Sequence, residues 1–175
     1  MSKVRVATVW LDGCSGCHMS FLDMDERILN LIPKIDIVYS PLVDAKEFPE
    51  GVDVALVEGA VSSDEDLHKI KLIRERSTTL IALGDCAVTS NVPSMRNPFG
   101  VDLVMKRVYL ENIDCQAGVP NERLPKLLPK ARPLHEVVKV DLFVPGCPPS
   151  ADLIYQVLSD LLDGKTPDLT QARFG

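Results

Sequence analysis

What this sequence is short of narrows its function before any motif is read. Positive charge is in deficit: 19 Lys and Arg stand against 25 Asp and Glu, for a formal net charge of −6. A phosphate backbone is held by clustered cations, so nucleic-acid binding is disfavoured. No apolar run approaches the roughly 18 residues needed to cross a bilayer, which excludes a transmembrane helix. No internal repeat or low-complexity stretch stands out. A secretory or twin-arginine signal is also missing, because Met-Ser-Lys-Val-Arg-Val runs straight into an apolar stretch that meets Asp12 with no small-residue cleavage site. A cytoplasmic location is therefore expected. Its 175 residues, 46% of them hydrophobic, suit a single domain with a substantial core. Against these shortages stand five cysteines. In a reducing compartment an odd set of thiols more often binds metal, catalyses or fills core than forms disulfides.

Periodicity organises the chain. Val4 to Leu11 is β-branched and mostly apolar, as a parallel strand covered on both faces tends to be. His18 to Leu31 places Phe21, Met24, Ile28 and Leu31 on one helical face, and Pro33 ends that helix. Further strands are predicted at Ile35 to Ser40, Val52 to Val57, Thr78 to Leu83, and Leu142 to Val144 with an extension back to Val137. Ser62, Ser63, Asp64 and Glu65 open a helix that runs to about Arg76. A last helix runs from Ser150 or Ala151 to Leu162, with Gly164 just beyond its end. Strands alternating with helices predict an α/β fold, with a mostly parallel sheet between two helical layers. Residues 1–175 are read as one domain. Ala87 to His135, with six prolines and little periodicity, forms a long segment of the kind that is functional or docked on a partner.

The cysteines fall on this frame at matching places. Cys14 and Cys17 follow the first strand, Cys86 comes three residues after Leu83, and Cys147 comes three after Val144. Parallel strands deliver their following loops to one edge of the sheet, so four thiols converge there. Four thiolates suit a structural zinc or an iron–sulfur cluster. Structural zinc more often uses two Cys-x-x-Cys knuckles, whereas here one pair is joined by two single cysteines, an arrangement that fits the wider corners of a cubane. The pair lies just before a predicted helix N-terminus, whose free N–H groups favour an anionic group. Gly13, Gly16, Gly84 and Gly146 keep side chains out of the site, and Pro148 and Pro149 either shield it or start the last helix. A redox dithiol at Cys14 and Cys17 is a third reading, but it leaves Cys86 and Cys147 without a role.

Other residues at this edge are more ambiguous. Cys115 follows no predicted strand and is read as a spare thiol in the long segment. His18 either simply starts the helix or donates from its ring to a cluster sulfur. Glu58 closes the third strand as a structural acid, or as a proton-handling or partner-facing group. Asp12 and Asp85 form turns beside ligand cysteines or supply local negative charge.

The runs Trp10-Leu11-Asp12-Gly13-Cys14-Ser15-Gly16-Cys17-His18-Met19-Ser20, Glu58-Gly59, Gly84-Asp85-Cys86 and Pro145-Gly146-Cys147-Pro148-Pro149 resemble the small subunit of nickel–iron hydrogenases. That family is related to the 20 kDa-type cluster subunit of respiratory complex I, whose members carry two adjacent cysteines where this chain has Cys14-x-x-Cys17. Gly13 to Glu26 is most similar to the cytoplasmic bidirectional, NAD-reducing branch. The resemblance implies a flavodoxin-like sheet and one proximal 4Fe-4S cluster on Cys14, Cys17, Cys86 and Cys147. It also implies partners: a large subunit with the nickel–iron centre, and diaphorase subunits with flavin that reduce NAD. Catalysis would lie in those partners and not in this chain. Membrane-bound relatives add a C-terminal domain with two further clusters, which this sequence is expected to lack. A flavin on this chain itself is disfavoured, because the first loop holds thiols where a flavodoxin places Ser and Thr for the phosphate.

Overall fold

The computed structural model describes residues 3–112, 114 and 118–175. Strands β1 (Val4–Trp10), β2 (Ile35–Tyr39) and β3 (Val52–Glu58) come first, with α1 (Gly16–Leu22) and α2 (Ile28–Leu31) between β1 and β2. The short strand β4 (Val61–Ser63), helix α3 (Asp64–Arg76), strand β5 (Ser77–Leu83) and helix α4 (Asp85–Thr89) follow. Then come α5 (Val101–Lys106), β6 (Leu127–Arg132), β7 (Leu142–Val144) and α6 (Ala151–Leu162). The main sheet has the order β2-β1-β3-β5-β7, and every pair in it is parallel. This is the α/β architecture expected from the alternating pattern, with all five predicted strands in one sheet.

Each central strand is mostly apolar because both of its faces are covered. Val6, Val54, Leu56, Ile81, Leu83 and Val144 point to one layer, where they meet Phe21 and Met24 together with Leu153, Ile154, Val157 and Leu158 of α6. The intervening residues Ala7, Val9, Ala55, Val57, Leu80 and Ala82 point the other way, onto Ile70 and Ile73 of α3 and Ala87 of α4. The period of two sorts one strand between two cores.

Local chemistry sets the helix ends. Ser63 Oγ accepts the N–H of Asp66 at 3.1 Å, and the Asp66 carboxylate accepts the N–H of Ser63 at 2.9 Å, a reciprocal cap that starts α3. At its other end Arg74 donates to the carbonyls of Ser77 and Thr78. Ser150 Oγ caps α6 by accepting from Leu153 N–H.

Four expectations need correction. The helix predicted from His18 to Leu31 starts earlier, at Gly16, and breaks after Leu22. Asp25 there adopts a left-handed φ of 50°, and a short 3-10 turn, Asp25–Arg27, leads into α2. The break lets Met24 turn into the core at 1% exposure without a continuous helix. Strand β7 does not extend back to Val137, because Leu134–Glu136 forms a 3-10 turn that seats Leu134 in the core. The segment 87–135 holds more regular structure than its prolines suggest: it contains α5 and β6, and β6 pairs antiparallel with β4 outside the main sheet. Strands so short and so far apart carry no periodicity that would announce their pairing. Finally, Cys17 lies in the first turn of α1 and not ahead of it.

Candidate functional site

All strands of the main sheet run the same way, so the loops after β1, β3, β5 and β7 leave from one edge. The first two are tied together by backbone. Leu11 N–H donates to the carbonyl of Glu58 at 3.0 Å, and Asp12 and Ala60 exchange bonds of 3.1 and 2.7 Å. Gly59 permits this closeness: an added Cβ would lie 2.8–2.9 Å from the backbone of Leu11 and Asp12. From this crossing the chain passes Cys14, turns at Ser15 with φ 65°, and enters α1, where Cys17 is half-buried and Cys14 exposed.

The loops after β5 and β7 are joined likewise, Gly84 N–H donating to the Val144 carbonyl at 2.8 Å. Cys86 follows in the first turn of α4, half-buried, and Cys147 is exposed. Gly84 has φ +83°, and an added Cβ would overlap Cys17 Sγ. The absence of a side chain at Gly84 is therefore what lets the Cys17 thiol stand against the β5 loop. Asn91 Nδ2 reaches Cys147 Sγ at 3.7 Å from the other side. The four cysteines that the sequence places at strand ends thus emerge at one edge. Cys115 lies outside the described residues.

Beneath them runs a buried polar chain. Glu58 is 2% exposed, and its Oε2 accepts the backbone N–H of His18 at 2.7 Å while lying 2.7 Å from His18 Nδ1. His18 Nε2 stands 3.0 Å from Thr8 Oγ1, which bonds to Ser40 Oγ at 2.9 Å. Both ring nitrogens of His18 are thus engaged by oxygen atoms, and the residue meets the site through its backbone, next to Cys17. Glu58 faces inward, toward α1. Thr8 and Ser40 escaped the sequence reading. The signal available was a hydroxyl inside an otherwise apolar strand, which burial obliges to find a partner. Asn91 carried no such signal.

Burial pushes the Cys17 thiol well above the usual thiol range, and the Glu58 carboxylate and the other three cysteines push it further the same way. Cys86 is raised by burial as well. The Val92 backbone N–H opposes that rise, and Cys147, Cys14 and Glu58 add to it. Four sulfurs within electrostatic reach of one another cannot all ionise without a compensating cation, so the donor set fits a positively charged metal group bound by deprotonated sulfur. Among the described residues no group of three or more His, Cys, Asp or Glu is arranged around a single metal ion. No described helix is long and apolar enough to cross a membrane.

The chain is similar over most of its length to known proteins. A family described as NADH ubiquinone oxidoreductase, 20 Kd subunit, matches residues 14–161, a span that includes Cys14, Cys17, Cys86 and Cys147. The chain is 44% identical over 172 residues to the NAD-reducing hydrogenase HoxS subunit delta of Cupriavidus necator, covering 95% of this chain and 82% of that relative. It is 39% identical over 168 residues to a subunit of the F420-non-reducing hydrogenase of Methanocaldococcus jannaschii, spanning 95% of this chain but 58% of that one. A crystal structure of NAD+-reducing NiFe hydrogenase in the H2-reduced state contains a chain that superposes with a TM-score of 0.92 at 40% identity, over 95% of both chains.

Proposed function

The chain belongs to the family of the 20 kDa subunit of NADH–ubiquinone oxidoreductase, and from that premise we propose that it is the electron-transfer small subunit of a cytoplasmic, NAD-reducing nickel–iron hydrogenase. In this reading one 4Fe-4S cluster is held by Cys14, Cys17, Cys86 and Cys147, between a large subunit with the nickel–iron centre and diaphorase subunits that carry flavin and reduce NAD. When bound, such a cluster supplies one-electron oxidation and reduction at a potential set by charge, hydrogen bonds and burial.

The observation that carries the proposal is the convergence of four thiols from three separate loops on one edge of a parallel sheet. The chain's own residues have distinct tasks there. Cys17 and Cys86, half-buried, supply the inner side of the site, and the exposed Cys14 and Cys147 supply the side that faces outward. Gly84 leaves room for the Cys17 sulfur. Glu58 anchors the backbone of His18 and so fixes the turn that carries Cys17.

The resemblance to nickel–iron hydrogenases assigns the chemistry with hydrogen to the large subunit. Partner binding is supported by large apolar side chains left in water. Trp10 and Met19, on the elements that flank Cys14 and Cys17, and Val92, Met95 and Phe99, in the segment after Cys86, are each 46–68% exposed. Such exposure is costly in an isolated chain and usual at an interface. Residues 1–175 then act as one iron–sulfur domain, with segment 87–135 turned toward a partner.

Metal and acid-labile sulfide analysis of the natively isolated complex tests the reading. About four iron and four sulfide per chain, with an EPR signal on reduction, are expected. One zinc without sulfide would replace it with a structural scaffold in a non-redox complex. Recovery of a nickel-containing protein with the chain is the matching test of the partner.

A further inference from the structure

Asp85 stands between the two loops that each bring a single cysteine. It is 3% exposed. Its Oδ1 accepts the N–H of Gly146 at 2.7 Å, and its own backbone N–H donates to the Gly146 carbonyl at 2.9 Å. Two bonds of opposite direction therefore lock the residue before Cys86 to the residue before Cys147. The second carboxylate oxygen, Oδ2, accepts the N–H of Gly175 at 2.9 Å, from 90 residues further along the chain.

The chain reaches that point by a definite route. After α6, Leu169 and Ala172 pack against the core layer that contains Val144 and Leu153. Gly175 then lies on the backbone of Cys147, where an added Cβ would come within 2.8 Å of Cys147 Cβ and 3.0 Å of its nitrogen. Only a carboxylate offers two acceptor oxygens that can each take an N–H from a different part of the chain.

We propose that Asp85 is a positioning residue that clamps the Cys86 loop to the Cys147 loop and tethers residues 168–175 as a strap along one flank of Cys147. The functional side of this proposal rests on the reading of Cys86 and Cys147 as ligands of one site. The clamp sets how those two sulfurs stand relative to each other, and the strap limits solvent and small-molecule access from its side.

The test is hydrogen exchange followed by mass spectrometry on the full chain in the assembly in which it is purified, together with iron release to a ferrous chelator. In Asp85→Asn one acceptor oxygen becomes an NH2 that faces an N–H. Peptides covering 144–147 and 168–175 should then exchange about tenfold faster or more, while α3 and β3 keep their protection. Iron release should accelerate in step, and at equal iron content the EPR signal of the reduced protein should shift. Gly175→Ala leaves Asp85 intact and displaces only the strap, so 168–175 should lose protection while 144–147 retains it. If Asp85→Asn does not fold, this second variant still tests the strap, and an unmoved strap there overturns the proposal. Unchanged exchange of both segments in Asp85→Asn, or of the strap in Gly175→Ala, overturns the proposal, as does uniform acceleration over the whole chain. If the wild-type assembly holds no iron, the cluster reading falls, and the exchange pattern alone still decides whether the clamp exists.

Discussion

Glu58 Oε2 lies 2.7 Å from both the backbone nitrogen and the ring Nδ1 of His18, joining the end of β3 to the first turn of α1 one residue after Cys17. A single buried carboxylate oxygen thus holds the loop from which two candidate ligands are presented. Removing it with Glu58→Ala strands a buried N–H and an imidazole, and should cost about 3 kcal/mol of folding stability. Glu58→Gln keeps an acceptor for the His18 N–H and should cost about 1 kcal/mol. Urea denaturation of both variants checks the order.

The contact between Gly84 and Cys17 makes a sharper demand. With φ +83° and no space for a Cβ beside the Cys17 sulfur, Gly84→Ala is strained in backbone and side chain at once. A loss of about 2 kcal/mol or more is expected, with iron content falling further than stability alone explains. Melting temperature and iron content, measured on the same preparation, separate the two effects.

The cysteines are expected to divide four against one. Cys14→Ser, Cys17→Ser, Cys86→Ser and Cys147→Ser should each lower bound iron and sulfide, whereas Cys115→Ser should leave both at the wild-type level. A Cys86→Ser variant that kept its full iron content would remove the β5 loop from the ligand set. Full loading in every single variant would dissolve the four-thiol site altogether.

Cys17 also predicts how the metal-free chain responds to alkali. Burial, then Glu58 and the neighbouring cysteines, hold its folded pKa above the ordinary thiol value. Above about pH 8.5 the unfolded chain sheds a proton that the folded chain retains, so the folded state is favoured in full below that pH and loses ground as pH rises. The urea midpoint of the metal-free chain should therefore drop between about pH 8 and pH 10, and Cys17→Ala should flatten the dependence. The same burial makes Cys17 slower to alkylate than the exposed Cys14 and Cys147. Mass spectrometry after timed iodoacetamide treatment measures that order.

How much of this could be read before any fold was known depends on the range of the forces involved. The strands were legible because VRVATVW, VDVALV and TTLIAL are short, β-branched and largely apolar on both alternating faces, as a doubly covered parallel strand requires. The starts of α3 and α6 were legible because Ser63 and Ser150 act within three residues of themselves. Even the edge where Cys14, Cys17, Cys86 and Cys147 emerge followed from sequence, since parallel strands send their loops to the same side whatever the details of packing.

The sequence alone, then, determined the strands of the main sheet, the caps of α3 and α6 and the meeting of four thiols, because each depends on local propensity or on the geometry every parallel sheet shares. Tertiary structure alone decided the rest. It broke the helix at Asp25 to bury Met24, paired β4 with β6 across more than sixty residues, and bound both nitrogens of His18 to oxygen. It also brought Gly175 to Asp85. In each of those cases a buried polar or apolar group takes its partner from a distant part of the chain, and only the packed fold shows which partner comes within reach.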